Sequence, residues 1–274
     1  MAASTLPKAS PDSEVPNALD RDAIRIVPLH LPGGLSDAAP GVPPAPPPSL
    51  TYRGGPLLGA VEVFVIFWGS AWAQPPQSGI AQSLTQFFPF VLTSPLLDQM
   101  AEYNVPGGTQ IGHGKYVGSA NITTPAPKHT TTDKAIQAML QKEIGSNAAI
   151  PQPTPNTLYF VYLQPGVAVS QGGSRSCTAF CGYHDHIAAH GGNIYYAAMP
   201  YPNCKGCLGG LAPLDALTSI SSHELCEAIT DPIPGMGWYD DNHGEIGDIC
   251  AWKTKPLGAY TVQLEWSNRA SKCF

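Results

Sequence analysis

Short, dense apolar runs dominate the hydrophobic pattern of this chain. Residues 61–68 (VEVFVIFW) and 157–163 (TLYFVYL) are β-branched and aromatic, the composition of buried strands. Residues 260–266 (YTVQLEW) alternate like a half-buried strand. Residues 176–184 and 193–199 read as a strand pair joined through His190-Gly191-Gly192. Helical spacing over residues 82–100 is interrupted at Pro89 and Pro95, which predicts two short helices. Thr131 or Thr132 can cap a helix over 133–144, stopped by Gly145-Ser146-Asn147. A further helix is predicted from about Pro213 to Thr230, ending where Asp231 precedes Pro232. Strands and helices mix without regular βαβ alternation, so the expected class is α+β with a mixed sheet.

The N-terminal zone is different. Residues 1–50 are rich in Pro, Ala and Ser, with Pro40, Pro43, Pro44, Pro46, Pro47 and Pro48 close together. Proline at that density gives extended spacer chain and works against a packed core. The zone reads as a disordered tail or linker, or as a propeptide lying across a cleft. Residues 51–274 then form a single domain.

The last predicted helix carries the chemistry. His223, Glu224 and Glu227 form H-E-x-x-E, one residue away from the H-E-x-x-H of zinc peptidases. On a helical wheel Leu214, Leu217, Leu225, Ala228 and Ile229 gather on one side, with His223 and Glu227 nearly opposite and one turn apart. Packing by the apolar stripe would hold these two side chains together toward a cleft. The competing reading is a solvated helix face, but Asp215, Glu224 and Glu227 are the only acids of this helix before Asp231.

Composition narrows the partners. Charged residues make up 12% and the formal net charge is -6, which gives no basic stripe for nucleic acid. No apolar run reaches membrane-spanning length. Seven cysteines all lie after residue 176, which points to a local disulfide framework and an oxidising compartment. Cys250 and Cys273 are the first expected pair, and Cys226 is the expected free thiol. A zinc site built from Cys177, Cys181, Cys204 and Cys207 is the alternative. No secretory signal is visible at the N-terminus.

Downstream, Glu245-Ile246-Gly247-Asp248 is similar to the E-x-x-D element of gluzincin peptidases, in which Glu is a third ligand and Asp orients a ligating histidine. Asp240, Asp241 and His243 read as a solvated loop, and Asp231 as a helix-end carboxylate or a further ligand. Upstream, His184, His186 and His190 form a His-rich hairpin, of which His184 is the candidate to reach a site. These motifs together resemble the phosphate-induced protein 1/EXORDIUM-like family of extracellular proteins and its bacterial relatives. The resemblance is carried by Tyr52-Arg53-Gly54-Gly55-Pro56-Leu57-Leu58, His113-Gly114-Lys115, Cys181-Gly182-Tyr183-His184, the 223–232 segment, Glu245 to Cys250, and Gln263-x-x-Trp266-x-Asn268 with Cys273. It covers about residues 52–274 and implies secretion and a zincin-like helix. Plant members of the family are expected to carry Ser-Asn-Pro where this chain has Thr230-Asp231-Pro232.

The resulting expectation is a secreted zinc peptidase with ligands drawn from His223, Glu227, Glu245 and Asp248. Glu224 is the expected general base toward a metal-activated water, with Tyr239 or His184 assisting at the oxyanion. A carboxylate-rich set leaves the ion less positive and its water less acidic than a His-rich one. The alternative is a non-catalytic extracellular protein with a structural Ca²⁺ or Zn²⁺, acting in adhesion, signalling or wall interaction. Peptide or protein is the expected substrate, and oligomeric state is not legible.

Overall fold

The computed structural model describes residues 26–29, 46–189 and 191–274, so His190 and most of the proline-rich zone lie outside the described residues. The chain begins with β1 (Ile26–Pro28), β2 (Thr51–Tyr52) and β3 (Glu62–Trp68), then α1 (Gln77–Val91) and α2 (Pro95–Met100). β4 (Lys115–Ile122) and β5 (Thr130–Thr132) lead into α3 (Asp133–Ser146), followed by β6 (Thr157–Leu163), β7 (Ala168–Gln171) and β8 (Ser174–Arg175). The hairpin of β9 (Phe180–Ala189) and β10 (Gly192–Met199) precedes α4 (Lys205–Leu208) and α5 (Pro213–Thr230). Short strands β11 (Trp238–Tyr239), β12 (Thr254–Leu257), β13 (Tyr260–Gln263), β14 (Trp266–Ser267) and β15 (Lys272–Cys273) follow.

Among the described residues the main sheet has six strands in the order β1-β9-β10-β6-β3-β4. From β10 through β6 and β3 to β4 the pairing is parallel, whereas β9 runs antiparallel to both β10 and β1. The sheet is therefore mixed and the class is α+β, as expected. Both faces are covered, which explains why β3 and β6 are apolar at nearly every position. Val63, Val65 and Phe67 of β3 face α1, α2 and α5, while Phe64, Ile66 and Trp68 face α3. Each such side chain contributes roughly 1.5–3 kcal/mol by leaving water.

Several elements depart from the sequence expectation. The helix expected from residue 82 starts at Gln77 and continues through Pro89 to Val91 as α1. Pro89 falls in the last turn, where it forfeits a single backbone bond and ends the helix without breaking it. Helix α2 opens with Pro95 at its first position, and the Ser94 hydroxyl accepts from Leu96 N–H at 3.3 Å. Thr132 is the cap of α3, and that helix passes through Gly145 to Ser146. The expected tail is not wholly apart from the domain: β1 belongs to the main sheet, and Val27 and Leu50 are buried. A short apolar patch at 26–27 suffices to dock there.

The cysteines pair as Cys177–Cys204, Cys181–Cys207 and Cys250–Cys273, leaving Cys226 free and buried. The four-cysteine zinc site is thereby replaced by two disulfides that tie β9 to α4 and its flank. No described helix is long and apolar enough to cross a membrane.

Candidate metal centre

Helix α5 spans the predicted residues, but its surroundings differ from the expected cleft. Every residue from Ala216 to Thr230 is buried, including His223, Glu224 and Glu227 at 0% exposure. The solvated-face reading is excluded. What covers the polar face is legible bond by bond. The Tyr162 hydroxyl and Ser221 Oγ lie 2.6 Å apart, and Ser222 Oγ accepts from Gln263 N–H at 2.9 Å. Thr218 Oγ1 donates to the Thr261 carbonyl at 2.7 Å. Small hydroxyl residues thus zip β13 along α5. β9 covers the rest: a Cβ on Gly182 would stand 2.8 Å from Ile220 and 3.1 Å from Glu224 Oε1, so the strand lies that close only without a side chain.

Six buried titratable side chains converge here. His223 Nε2 lies 2.9 Å from Glu227 Oε1 and 3.9 Å from Asp248 Oδ1. On β9, His184 Nδ1 lies 3.2 Å from Glu224 Oε2 and 3.6 Å from Glu227 Oε2. Its Nε2 lies 3.4 Å from Glu245 Oε1 and donates to the Asp231 carbonyl at 3.1 Å. Two donor groups have the spacing to hold a metal ion: His184 with Glu227 and Glu245, and His223 with Glu227 and Asp248.

Among the described residues, His223 Nε2, Glu224 Oε1, Glu227 Oε2, Asp248 Oδ1 and both Glu245 oxygens are buried without a hydrogen-bond partner. Orphaned buried polar atoms each cost about 1–3 kcal/mol, more when charged. A cation placed among these atoms could satisfy them. The donor chemistry fits a borderline ion: each group combines one imidazole with carboxylates, which suits zinc and its first-row neighbours better than calcium.

Electrostatics follow from this crowding. Burial disfavours charge on both histidines, but the surrounding carboxylates outweigh it and raise their pKa values well above the imidazole norm. Burial also pushes the Glu224, Glu245 and Asp248 carboxyls up. Burial would raise Glu227 as well, yet His223 and His184 overcome it and bring it down to about 2. Glu227 is the one carboxylate placed between both imidazoles.

The loop 240–248 supplies the downstream donors. Asp240, expected to be solvated, is buried and organises this loop: it accepts from Ser49 N–H at 2.8 Å, Asn242 N–H at 2.8 Å and His243 N–H at 2.9 Å. Asp241 pairs with Arg53 at 2.8 Å. Asp231 takes the helix-end role, its carboxylate accepting from the N–H groups of Gly235, Met236 and Gly237. Gly247 allows the loop to close on the helix, because a Cβ there would lie 2.8 Å from His223 Nδ1 and 2.9 Å from Glu227 Oε1.

All four expected metal ligands, with Glu224 and His184, therefore meet in one place. Tyr239 does not join either donor group; its buried ring lies beneath the Arg53 guanidinium at 4.6 Å. His186 on β9 contacts its neighbour Asp185 at 3.2 Å instead. Sequence reading missed the site role of Gln263. Its Oε1 accepts from Trp252 N–H at 3.1 Å and its Nε2 donates to the Gly247 carbonyl at 2.9 Å. That fixes the amide with its second N–H toward His223 Nδ1 at 2.8 Å, so the ring proton sits on Nε2. Metal coordination through Nε2 requires that proton to leave. Glu265 was also missed: it is buried, and both carboxylate oxygens lack a hydrogen-bond partner among the described residues. No sequence signal distinguishes it from a surface acid in an alternating strand.

No family model matches the chain, and neither a curated protein nor a solved structure matches it.

Proposed function

We propose that this chain is a secreted zinc-dependent peptidase, related to the EXORDIUM-like proteins, with α5 as a zincin-like active-site helix held in a closed state. The observation that supports the reading most is the convergence of His223, Glu227 and Asp248, with Glu224 beside them, the first two and Glu224 fully buried and Asp248 nearly so. His223, Glu227 and Asp248 would hold the ion. When bound, zinc supplies a water of lowered pKa and an electrophile for the peptide carbonyl. Glu224 has the position of a proton carrier: Oε2 lies 3.2 Å from His184 Nδ1, while buried Oε1 makes no hydrogen bond among the described residues. It would take a proton at Oε1 and return it to the departing amine.

An extended substrate needs a strand edge, and β9 offers one. Its outer edge is covered by β1, with Val27 opposite Gly182, the residue that packs on Glu224. Displacing Ile26–Pro28 would free backbone groups of β9 for an incoming peptide, the usual mode of strand addition. The three disulfides among the described residues suit an oxidising compartment. The near-complete burial of the donors supports a second reading, a non-catalytic extracellular protein stabilised by its ion.

Glu224→Gln separates the two. The peptidase reading expects the variant to retain zinc while hydrolysis of an unstructured protein falls by at least about 100-fold, the scale of general-base catalysis. Equal hydrolysis by variant and parent, or none by either once β1 is released, would leave the structural-ion reading.

A further inference from the structure

We infer that the centre holds a pair of first-row divalent ions bridged by Glu227. This deepens the metal-site reading above and rests on it. The two donor groups share a single residue, Glu227, and each brings its own imidazole and its own second carboxylate. The two oxygens of Glu227 divide between them: Oε1 lies 2.9 Å from His223 Nε2, and Oε2 lies 3.6 Å from His184 Nδ1. A carboxylate so placed gives one oxygen to each ion, and paired catalytic ions generally sit roughly 3.5–4 Å apart.

The histidine on β9 is prepared for ligation. His184 Nε2 donates to the Asp231 carbonyl at 3.1 Å, so its proton resides there and Nδ1 presents a lone pair toward Glu224 and Glu227. A backbone carbonyl fixing the far nitrogen is the usual support of a metal-bound imidazole. Asp231 is in turn held by three backbone N–H groups, which makes the support rigid.

Charge counting agrees. Glu224, Glu227, Glu245 and Asp248 carry four negative charges when ionised, and among the described residues their ion pairs run to His184 and His223, not to lysine or arginine. One divalent ion leaves half of that charge buried. Two divalent ions match the charge of the four carboxylates. Both Glu245 oxygens are also buried without a hydrogen bond among the described residues, and Glu245 belongs to the His184 group.

The test counts ions on the full disulfide-bonded chain. Protein stripped with a chelator is loaded with Zn²⁺, freed of excess and analysed for zinc per chain; a parallel sample takes Co²⁺, whose paramagnetism reports coupling between neighbouring ions. Two zinc ions per chain and magnetically coupled cobalt are expected, with His184→Ala reduced to one ion and uncoupled. One zinc per chain in the parent protein, or two cobalt ions without coupling, overturns the bridged pair while leaving a single-ion centre in place. Absence of retained zinc and cobalt overturns both readings. The parent protein decides the matter even if His184→Ala fails to fold.

Discussion

His223 Nε2 and Glu227 Oε1 stand 2.9 Å apart on adjacent turns of α5, yet among the described residues Nε2 makes no hydrogen bond. The ring N–H axis passes the carboxylate oxygen instead of meeting it. A helix surface pair formed for stability would align donor with acceptor. Asp248 Oδ1 also lies 3.9 Å from Nε2, and the three side chains form a group with the spacing to hold a metal ion.

Gly247→Ala probes that point without straining the backbone. Gly247 has φ -79 and ψ -38, which alanine adopts freely. Its new Cβ would press on His223 Nδ1 at 2.8 Å and Glu227 Oε1 at 2.9 Å. Zinc affinity, measured by competition with a chelator, is expected to fall about 10–100-fold, as for other disturbed ligand supports. An unchanged affinity would place the ion elsewhere.

Gln263→Glu reverses the group facing His223 Nδ1. The wild-type amide donates into Nδ1 and keeps the proton on Nε2. A carboxylate would accept from Nδ1–H and free Nε2 to ligate, so zinc should bind roughly 10-fold tighter, the lower end of the range of such second contacts. Weaker binding with an intact fold would show that His223 serves as a donor to Glu227 and not as a ligand.

Val27→Asp addresses access. Val27 is buried on β1 opposite Gly182, and an aspartate there would bury an unpaired charge. β1 should leave the sheet, visible as rapid proteolysis around residues 26–28, and hydrolysis of an unstructured protein should rise. Release of β1 with no gain in hydrolysis would count against strand addition at β9.

Asp240→Asn gives the pH dependence of the loop that carries the downstream donors. Burial raises the Asp240 carboxyl, but N–H groups of Ser49 and Asn242 together with His243 outweigh it and hold its pKa below the usual value. A depressed folded pKa means stability that is present above the unfolded value near 3.9 and lost as pH falls through the folded one. Asp240→Asn should therefore cost about 1–3 kcal/mol in denaturant melts at pH 7. The gap between parent and variant should narrow as pH falls through the depressed folded pKa of Asp240, because the carboxyl then becomes neutral like the amide. A gap that persists in acid would mean that loop geometry, not charge, is what Asp240 supplies.

Local signals in the sequence were sufficient for the elements that matter most to the site. Pro213 and the Asp231-Pro232 boundary define α5, and β-branched runs define β3 and β6. The four-residue spacing of His223 and Glu227 gives their adjacency, and Glu245 and Asp248 were legible as an E-x-x-D element. What joins them was not local. Gly182 and Gly247 matter through the space they leave for Ile220 and Glu227, 38 and 20 positions away in the chain respectively, which no period of 2 or 3.6 encodes. Gln263 looks like an ordinary polar position of an alternating strand, yet the fold turns it toward His223. The full burial of α5 was not legible for the same reason: its serines and threonines bond to Tyr162, Thr261 and Gln263, partners distant in the chain.

Anomalous diffraction at the zinc absorption edge, from crystals of the zinc-loaded chain, examines the central claim most directly. An anomalous peak is expected within ligand distance, roughly 2.0–2.2 Å, of His223 Nε2 and carboxylate oxygens of Glu227 and Asp248. A featureless map there, with His223 Nε2–H turned onto Glu227 as a plain ion pair, would contradict it.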